Sequence, residues 1–345
     1  MKKERCIALY SGGLDSILAI KIIQSQAIDV IPLYFATPFF GFKALRNPED
    51  FKMIHCHEYG ICPHVIDYTD DFINTLINPA HGFGKYMNPC IDCRIGMLKR
   101  ARELLEVFNA SFIVTGEVLG QRPMSQRRDA MDIIEKASGL RDILLRPLCA
   151  KRMRATRGEH LGIVDREKLL DITGRGRKAQ IYLAELFGIK AAHIPASGGG
   201  CMLTNKQIAI KVKGTINRFM SQAPTRYDIM LDVVGRKFIL DDSTVFVVAR
   251  NEQENEVLAD MKYPGNVFIK IAGIPGPLCV LRGEANQANL EIASGICLRY
   301  GKGKGTKGLN ALWGADPHQM REVINARVIP DEYCRRLQID FDVPD

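Results

Sequence analysis

The stretch LYSGGLDSILAIKII, residues 9–23, places two glycines between a short apolar run and a helical pattern. Backbone N–H groups at a helix N-terminus have no intrahelical partner and carry partial positive charge, so they bind anions. Gly12 and Gly13 would let a phosphate approach the backbone without meeting a Cβ atom, and Ser11 and Ser16 would add hydroxyl donors. The stretch therefore predicts a phosphate-binding loop between the first strand and the first helix.

Asp15, in the middle of this loop, has two predicted roles. It either caps the helix or helps to hold a Mg²⁺ ion. Carboxylate oxygens accept hydrogen bonds from the backbone N–H groups at a helix start, and they are also ligands of magnesium. A tight βα turn that binds nothing is the simpler alternative, because glycine pairs are common. The loop lacks the Gly-Lys-Ser/Thr ending of a Walker A motif, so it is not of that class.

The first 200 residues alternate between short strand-like runs and longer helical patterns. This alternation predicts an α/β fold, a parallel sheet with helices on both faces. Ligands of such sheets bind at the carboxyl ends of the strands, where both SGGLDS and the later TGE, residues 115–117, fall. The predicted strands are CIALYS at 6–11, DVIPLYFA at 29–36, HVIDY at 64–68 and ASFIVTGE at 110–117.

After about residue 205 the pattern changes to that of a smaller C-terminal α+β domain. We predict an α/β domain at 1–204, a helical linker at 205–225 and the second domain at 226–345. Asp241 and Asp242 suit the turn of a hairpin. The predicted strands are RYDIMLDVV at 226–234, the hairpin RKFILDDSTVFVVAR at 236–250, GNVFIKIAG at 265–273 and GPLCVLRG at 276–283, followed by the helix QANLEIASGICLRYG at 287–301.

Composition and charge narrow the class of protein. A length of 345 residues suits two or three domains, and 46% hydrophobic and 25% charged residues are ordinary for a globular protein. No apolar run is long enough to span a membrane and the start has no signal-peptide pattern, so a cytoplasmic protein without a membrane partner is expected. Residues 1–225 hold 32 Lys and Arg against 22 Asp and Glu, which places the basic excess in the first part.

Ten cysteines need an explanation. A cytoplasmic chain keeps its thiols reduced, so no disulfide framework is expected. Three cysteines stand apart from the apolar runs: Cys90 and Cys93 in NPCIDCRIGMLKRA at 88–101, and Cys201 in SGGGCMLTNK at 197–206. A helix N-terminus and the nearby Arg94 would lower a thiol pKa, as ligation or nucleophilic attack requires. The cysteines expected to be inert are Cys6, Cys149, Cys279 and Cys297.

Three interpretations of these cysteines are open. Cys90, Cys93 and Cys201 could ligate a 4Fe–4S cluster with one iron left open. Cys93 and Cys201 could instead form a nucleophile and persulfide pair that cycles through a disulfide. The third interpretation is a CxxC that does nothing or binds adventitious zinc, although no second CxxC is present. In HCHEYGICPH, residues 55–64, a helix-to-loop segment is favoured over a zinc site.

Several motifs resemble those of known families. SGGLDS resembles the PP-loop of ATP pyrophosphatases, which cleave ATP to AMP and pyrophosphate and activate an oxygen by adenylation. TGEVLGQRPMSQ at 115–126 and LLRPL at 144–148 resemble the matching region of tRNA 4-thiouridine synthases of the ThiI type. PCIDCRIGMLKRA resembles the CxxC segment of cluster-dependent tRNA thiolases. In the cluster-free MnmA type an aspartate takes the place of Cys90, and Cys93 and Cys201 match the two catalytic cysteines.

The resemblance implies a tRNA uridine thiolase that uses ATP, Mg²⁺ and a 4Fe–4S cluster, with 4-thiouridine favoured over 2-thiouridine. Its implied partners are tRNA and either sulfide or a sulfur-donor protein, and a homodimer is left open. A small-molecule sulfurtransferase or ligase and a non-catalytic RNA-binding protein are the alternatives. The implied catalytic residues are Cys93, Cys201 and Asp15; the nucleotide would be held by Ser11, Gly12, Gly13, Asp15, Ser16, Thr115, Gly116, Glu117 and Gln121; and Cys90, Cys93 and Cys201 would hold the cluster.

Basic residues predict an RNA-binding surface, with a solvated basic face as the alternative. The segment GRKFILDDSTVFVVARNEQENEVLADM, residues 235–261, together with the runs after it, resembles the NFACT-R module, which is thought to bind RNA. It departs from that module at KIAGIPG, residues 270–276, where tryptophan and histidine are usual. The predicted RNA-binding residues are Arg127, Arg128, Arg152, Arg154, Arg175, Arg177, Lys178, Lys302 and Lys304.

Overall fold

The computed structural model describes residues 4–196, 200–218, 223–303, 306 and 308–339. The chain divides into two compact units, Met1–Cys201 and Met202–Asp345. Within the described residues, no helix combines the length and the apolar character that a membrane crossing requires.

A five-stranded sheet, parallel throughout, forms the centre of the first unit. The residues of β1 and β4 are almost all buried, as expected for parallel strands that are covered on both faces. The predicted α/β class is therefore confirmed. The strands are β1 (Arg5–Leu9), β2 (Asp29–Ala36), β3 (His64–Asp67), β4 (Phe112–Thr115) and β5 (Leu144–Leu145), in the order β3-β2-β1-β4-β5.

Eight α-helices flank this sheet in the described part of the first unit. They are α1 (Leu14–Gln24), α2 (Phe42–Arg46), α3 (Pro48–Tyr59), α4 (Thr69–Ile77), α5 (Cys90–Val107), α6 (Arg128–Ser138), α7 (Arg157–His160) and α8 (Lys178–Leu186). Helix α1 contacts β1, β2 and β4 and packs on α8, whereas α5 contacts β1 and β4 and packs on α4 and α6. Since β1 and β4 are neighbours in the sheet, the segments that follow them emerge side by side.

An antiparallel six-stranded sheet with helices forms the second unit, so the predicted α+β pattern is confirmed. The strands are β6 (Arg236–Ile239), β7 (Val245–Val248), β8 (Asn266–Ile271), β9 (Cys279–Arg282), β10 (Asn310–Gly314) and β11 (Glu322–Asn325), in the order β11-β10-β8-β9-β7-β6. The helices are α9 (Lys206–Arg218), α10 (Arg226–Met230), α11 (Glu252–Ala259), α12 (Gln287–Tyr300) and α13 (Asp331–Leu337). Apolar residues of α12 join those of β6 to β9 in one core.

The hairpin between β6 and β7 turns where the sequence predicts it. The carboxylate of Asp241 accepts hydrogen bonds from the backbone N–H groups of Ser243 and Thr244, at 2.8 and 2.7 Å. Burial raises the pKa of Asp241, but the hydrogen bond from the Asn289 amide, followed by those from Ser243 and Thr244, lowers it to about 2. The Asp241–Asp242 turn is therefore confirmed.

The strand predicted at 226–234 is wrong, because its first part forms α10. Thr225 and Asp228 make a reciprocal capping box, with the threonine backbone N–H donating to the aspartate at 2.8 Å. The guanidinium of Arg282 also donates to Asp228, at 2.5 Å. These polar contacts at the start of the segment stabilise a helical turn, which the apolar residues alone do not indicate.

One pair of cysteines departs from the expectation of reduced thiols. A disulfide joins Cys56, near the end of α3, to Cys62. Gly60 ends the helix in the left-handed conformation, with φ at +63°, and turns the chain back so that the two Cα atoms lie 4.5 Å apart. The prediction of a helix-to-loop segment here is confirmed, and the other eight cysteines are free thiols.

Candidate active site

The phosphate loop is shaped by its own serines. The Ser16 hydroxyl donates to the carbonyl oxygen of Gly13 at 2.7 Å and accepts the backbone N–H of Ser11 at 3.2 Å. Gly12 has a φ of +72°, a left-handed conformation that an L side chain would strain. Gly13 is the extended residue just before α1. The residues predicted to bind phosphate thus form one compact turn at the start of the helix.

Asp15 projects from the first turn of α1 into a mostly buried environment. Gln121 donates from Nε2 to Asp15 Oδ2 at 2.7 Å, while Oδ1 is buried and has no hydrogen-bond partner among the described residues. Burial raises the pKa of Asp15, and the hydrogen bond from Gln121 and the charge of Arg177 partly offset this effect. A buried carboxylate oxygen without a partner fits a hard oxygen-seeking cation such as Mg²⁺.

Gly116 brings the TGE segment against this loop. A Cβ atom added at Gly116 would lie 2.5 Å from the backbone carbon of Asp15 and 2.5 Å from the backbone nitrogen of Ser16. No side chain can therefore be accommodated at this position without moving backbone. The two predicted nucleotide motifs are in direct contact, at the carboxyl ends of β1 and β4.

We expect Gly116→Ala to lower the free energy of unfolding by about 1–3 kcal/mol, as overpacking against rigid backbone does. We also expect it to weaken ATP binding, because the added methyl group would push the TGE segment away from the backbone of Asp15 and Ser16 in the phosphate loop. Thermal unfolding and ATP titration measure the two effects. Gly214→Ala is the control, since a Cβ there meets no atom within 4 Å and alanine favours its helix. Equal behaviour of the two variants would contradict the close contact at Gly116.

Glu117 is the centre of a buried ion-pair network. Its carboxylate accepts from Arg146 Nε at 2.9 Å and from the Thr115 hydroxyl at 3.1 Å, and it pairs with Arg94 Nε at 3.2 Å. Although burial by itself raises the pKa of Glu117, the two arginines hold it below its usual value. The glutamate side chain is 1% exposed. Its role in lining the nucleotide stays a prediction, while its contact with Arg94 links it to the cysteine helix.

The three candidate cysteines lie near one another. Cys90 is the first residue of α5, and Cys93 is buried one turn later. Cys93 interacts electrostatically with both Cys201 and Cys90. Burial, and after it the charge of Cys201, raises the pKa of Cys93 despite the opposing charge of Arg94. The expectation that the helix N-terminus and Arg94 lower the pKa is therefore wrong for Cys93 as a free thiol.

The three cysteines are the ligand type of an iron–sulfur cluster, but the described residues do not arrange them as a metal site. Three neighbouring cysteines, two of them at the start of a helix, supply the soft ligands that such clusters take. In the described residues, no three His, Cys, Asp or Glu side chains are arranged to hold a metal ion. Ser197, Gly198 and Gly199, which precede Cys201 in its motif, lie outside the described residues.

Three site residues were missed by the sequence analysis. The Gln180 side chain on α8 is fully buried, donates from Nε2 to Gln121 Oε1 at 3.4 Å and helps to lower the pKa of Asp15 against the effect of burial. Arg146 pairs with both Glu117 and Glu135. His55 lies beside the phosphate loop. A Cβ atom added at Gly12 would be 3.4 Å from His55 Cε1, and His55 Nδ1 is 2.6 Å from the Tyr10 hydroxyl. The sequence offers a signal only for Arg146, through its place in LLRPL.

The predicted RNA-binding residues occupy different settings. Arg127 pairs with Asp129 at 2.7 Å and Arg152 with Asp171 at 3.2 Å, both on the surface. Arg177 precedes α8 and acts electrostatically on Asp15. The exposed members include Arg128, Arg154, Arg175, Lys178 and Lys302, and Lys304 lies outside the described residues.

Two family models match separate parts of the chain. Residues 1–153 match the ThiI model, described as thiamine biosynthesis protein (ThiI), and residues 235–336 match NFACT-R_2, described as the NFACT protein RNA binding domain. The resemblance predicted from the motifs is thereby confirmed, and the chain joins a ThiI-type segment to an NFACT-R-like segment.

Individual relatives match the first part of the chain. A probable tRNA sulfurtransferase of Thermococcus kodakarensis is 27% identical over 169 residues, which cover 49% of this chain and 39% of the relative. The tRNA-specific 2-thiouridylase MnmA of Agrobacterium fabrum is 27% identical over 135 residues, or 34% of this chain and 33% of the relative. The chain thus spans well under half the length of these relatives. A 4-thiouridine synthetase solved in complex with RNA and ATP is 20% identical, with a TM-score of 0.41, over 58% of this chain and 45% of that one.

Proposed function

We propose that this chain, with its ThiI-type and NFACT-R-like segments, is an ATP-dependent tRNA uridine thiolase. In this proposal it adenylates a uridine carbonyl oxygen, replaces that oxygen with sulfur, and releases AMP and pyrophosphate. The similarity of the first part to a probable tRNA sulfurtransferase and to 2-thiouridylases supports this class of reaction. The NFACT-R-like match over 235–336 supports an RNA substrate over a small molecule.

The convergence of three motifs at TGE is the observation that carries the proposal. Gly116 contacts the phosphate loop, and Glu117 pairs with Arg94, the residue directly after Cys93. The phosphate loop and the cysteine helix are therefore held by two consecutive residues of the same segment. A thiolase needs this arrangement because ATP activates the oxygen of the same carbonyl group whose carbon atom the sulfur attacks.

The chemistry explains why the two functions belong together. Oxide or hydroxide is a poor leaving group, so direct replacement of a carbonyl oxygen is slow. Attack of the uridine oxygen on the α-phosphate of ATP forms an O–P bond and releases pyrophosphate, and the oxygen can then leave as part of AMP when sulfur attacks the carbon. The turn formed by Ser11 to Ser16 would bind the pyrophosphate, and Asp15 would hold a Mg²⁺ ion that neutralises it.

The proposed source of sulfur is a 4Fe–4S cluster held by Cys90, Cys93 and Cys201, which would supply sulfide from the iron that lacks a protein ligand. A persulfide pair of Cys93 and Cys201 is the alternative. We favour 4-thiouridine over 2-thiouridine, since the TGEVLGQ motif lies in the part that matches the ThiI model.

The domain assignment is part of the proposal. We assign adenylation and sulfur transfer to residues 1–204 and RNA binding to residues 226–345, with 205–225 between them. The match of the ThiI model to 1–153 and of the NFACT-R_2 model to 235–336 supports these two roles.

Iron and sulfide analysis after anaerobic purification tests the cluster. The wild-type chain is expected to carry about four irons and to absorb near ~400 nm, and Cys90→Ala to lose both. Cys334→Ala, which removes a buried cysteine of the second unit, is the matched control and should keep them. An iron-free wild-type protein after anaerobic reconstitution would eliminate the cluster and move the assignment to the persulfide pair.

The activity is tested separately with the full chain, tRNA, ATP and sulfide. Formation of AMP, pyrophosphate and a thionucleoside in equal amounts, the last identified by mass spectrometry of digested tRNA, is the expected result. The position of sulfur in the base distinguishes 4-thiouridine from 2-thiouridine. AMP formation that depends on a small thiol acceptor and not on tRNA would favour the small-molecule alternative.

A further inference from the structure

His55, on α3, presents one edge of its ring to the phosphate loop. A Cβ atom added at Gly12 would lie 3.4 Å from His55 Cε1 and 3.9 Å from His55 Nε2. The other ring nitrogen, Nδ1, is 2.6 Å from the hydroxyl oxygen of Tyr10, the residue directly before Ser11. The imidazole therefore uses Nδ1 to contact the tyrosine and turns its Cε1–Nε2 edge towards the loop.

Aromatic packing holds the ring in this orientation. Its centroid lies 4.1 Å from that of Phe51 and 5.6 Å from that of Tyr59, which are one helical turn before and after it on α3. The Tyr10 ring meets it edge-on, at 5.4 Å and 86°. Tyr59 is anchored in turn, because its hydroxyl donates to the carbonyl oxygen of His193 at 2.8 Å. The Nε2 atom of His55 is thus a fixed group beside the loop.

The hydrogen bond with Tyr10 determines which nitrogen of His55 carries the hydrogen. Tyr10 is 3% exposed, and among the described residues its hydroxyl bonds to the imidazole alone. Burial raises the pKa of Tyr10, so the phenol keeps its proton and donates it to Nδ1, since buried donors are nearly always satisfied. Burial also lowers the pKa of His55, against the opposing charge of Glu58, which favours the neutral ring. A neutral ring that accepts at Nδ1 carries its hydrogen on Nε2.

This Nε2–H group adds a donor to those of the loop itself. The first backbone N–H groups of α1 have no intrahelical partner, and Gly12, with a φ of +72°, turns the chain into that helix. These donors belong to the loop, whereas His55 brings one from a separate helix to the side of Gly12. A phosphate group has several acceptor oxygens and can accept from both sets of donors at once.

We propose that His55 is a further nucleotide-binding residue whose Nε2–H donates to a phosphate of bound ATP, and that Tyr10 is the positioning residue that fixes its tautomer. This inference rests on the proposed function, because it takes the phosphate loop to bind ATP. His55 lies outside the motifs that predicted the nucleotide site. A phosphate of the RNA backbone offers the same acceptor atoms and is the other source.

Binding of a phosphate at this place should be accompanied by proton uptake. The anion favours the charged imidazole and raises the pKa of His55 from its lowered value in the free protein. The other titratable groups around the ring are Glu58, which acts on it by its charge, and the three tyrosines Tyr10, Tyr34 and Tyr59. Burial raises the pKa of each tyrosine, so none of them titrates near neutrality. The affinity for ATP should therefore increase as the pH falls through the pKa of His55 in the complex.

Calorimetric titration with Mg²⁺ and the α,β-methylene analogue of ATP, which cannot be cleaved between those phosphates, tests the donor in the full chain. His55→Phe keeps an aromatic ring but has no N–H, so we expect about tenfold weaker binding and no proton uptake, measured in two buffers of different ionisation enthalpy. His55→Gln restores a donor and should bind within about threefold of the wild type, also without proton uptake. His57→Gln changes an exposed histidine of the same helix and is the control, which should behave as the wild type does.

Tyr10→Phe separates the tautomer from the donor. Without the phenol hydrogen the ring can carry its own hydrogen on Nδ1, so we expect about threefold weaker binding with proton uptake retained. In the His55→Phe background the same substitution should have no further effect, because Tyr10 acts through the imidazole. Equal effects in the two backgrounds would show that Tyr10 acts on the fold of the loop, which would remove its positioning role.

The affinity for tRNA in the absence of ATP separates the two sources of phosphate. Weaker binding of the analogue by His55→Phe, with unchanged tRNA affinity, supports the assignment to ATP. Weaker tRNA binding with unchanged analogue binding would overturn it and assign the donor to RNA. Analogue binding by His55→Phe equal to that of His57→Gln, or proton uptake retained by both His55 variants, would overturn it as well.

Failure of this inference and failure of the proposed function give different results. Thiolation of tRNA by His55→Phe at the wild-type KM for ATP removes the donor and leaves the thiolase intact. Binding of the analogue that depends on His55, without any thionucleoside product from tRNA, keeps the donor and removes the activity.

Discussion

Asp15→Asn is expected to slow ATP-dependent thiolation by on the order of 100-fold or more, the effect of removing one group that stabilises developing charge. The asparagine can still offer its carbonyl oxygen to Gln121 Nε2, which now donates to Asp15 Oδ2 at 2.7 Å. Its NH₂ group then occupies the place of Oδ1, which is buried and has no hydrogen-bond partner among the described residues. A donor in that place repels a cation where the carboxylate would bind one.

The same substitution should leave the fold intact. Burial raises the pKa of Asp15, which means that the native environment disfavours its charge, so a neutral isostere costs little stability. Steady-state rates at several Mg²⁺ concentrations, with thermal unfolding alongside, are the measurements. Asp29→Asn is the control, because Asp29 pairs with Arg5 at the start of β2, at the opposite end of the strands. A normal rate with normal magnesium dependence in Asp15→Asn would contradict the role of Asp15 as a ligand.

The phosphate loop could be predicted from the sequence because its chemistry is local. Two glycines, two serines and an aspartate within six positions define both the turn and its donors, and the structure builds the turn from hydrogen bonds among those residues. The parallel sheet followed from the alternation of strands and helices for the same reason. Neither feature depends on which distant segment packs beside it.

The connections between motifs could not be predicted in this way. TGE could be placed at a strand end, but the sequence does not reveal that Gly116 contacts Asp15 or that Glu117 pairs with Arg94 and Arg146. Gln180 reaches the site from α8, more than 150 residues after the loop. Long-range pairs depend on the assembled sheet, and a single sequence carries no local signal for them.

The errors have physical causes of the same kind. The segment at 226–234 is apolar enough for a strand, yet Thr225 and Asp228 cap a helical turn that Arg282 holds from a distant strand. Cys93 has basic neighbours in the sequence, but Arg94 turns to Glu117, and burial of the thiol dominates its pKa. In both cases the folded environment, and not the neighbouring residues in the sequence, determines the outcome: the helical turn in the first case and the pKa of the thiol in the second.

Glu117→Ala is expected to cost about 3–5 kcal/mol of folding free energy, as does removal of one partner from a buried ion pair. The variant leaves the guanidinium of Arg146, 1% exposed, with only Glu135 as a charged partner. Arg94 is 25% exposed and can turn towards solvent, so it would no longer tie α5 to the TGE segment. Urea unfolding measures the loss, and the reactivity of Cys90 and Cys93 towards a thiol reagent reports the release of α5.

A matched control separates burial from charge. Glu103→Ala removes an exposed glutamate that pairs with Arg100 on the same helix, and should cost less than about 0.5 kcal/mol. The double replacement of Glu117 and Arg146 by methionine should cost less than Glu117→Ala alone, because the 1% exposed guanidinium is removed together with its partner and only Glu135 and Arg94, which are 14% and 25% exposed, lose a pair. Similar losses in the two single variants would show that the network contributes no more than a surface pair.

The pH dependence of the difference provides a further check on the charge of Glu117. Its folded pKa is lower than its unfolded pKa, so the stability it contributes is complete above about pH 4.5 and is lost as the pH falls towards the folded value. The gap in unfolding free energy between the wild type and Glu117→Ala should therefore be constant near neutrality and narrow below about pH 4. A gap that stays constant into acid would mean that the glutamate stabilises the fold by packing, and that the link between the phosphate loop and the cysteine helix does not depend on its charge.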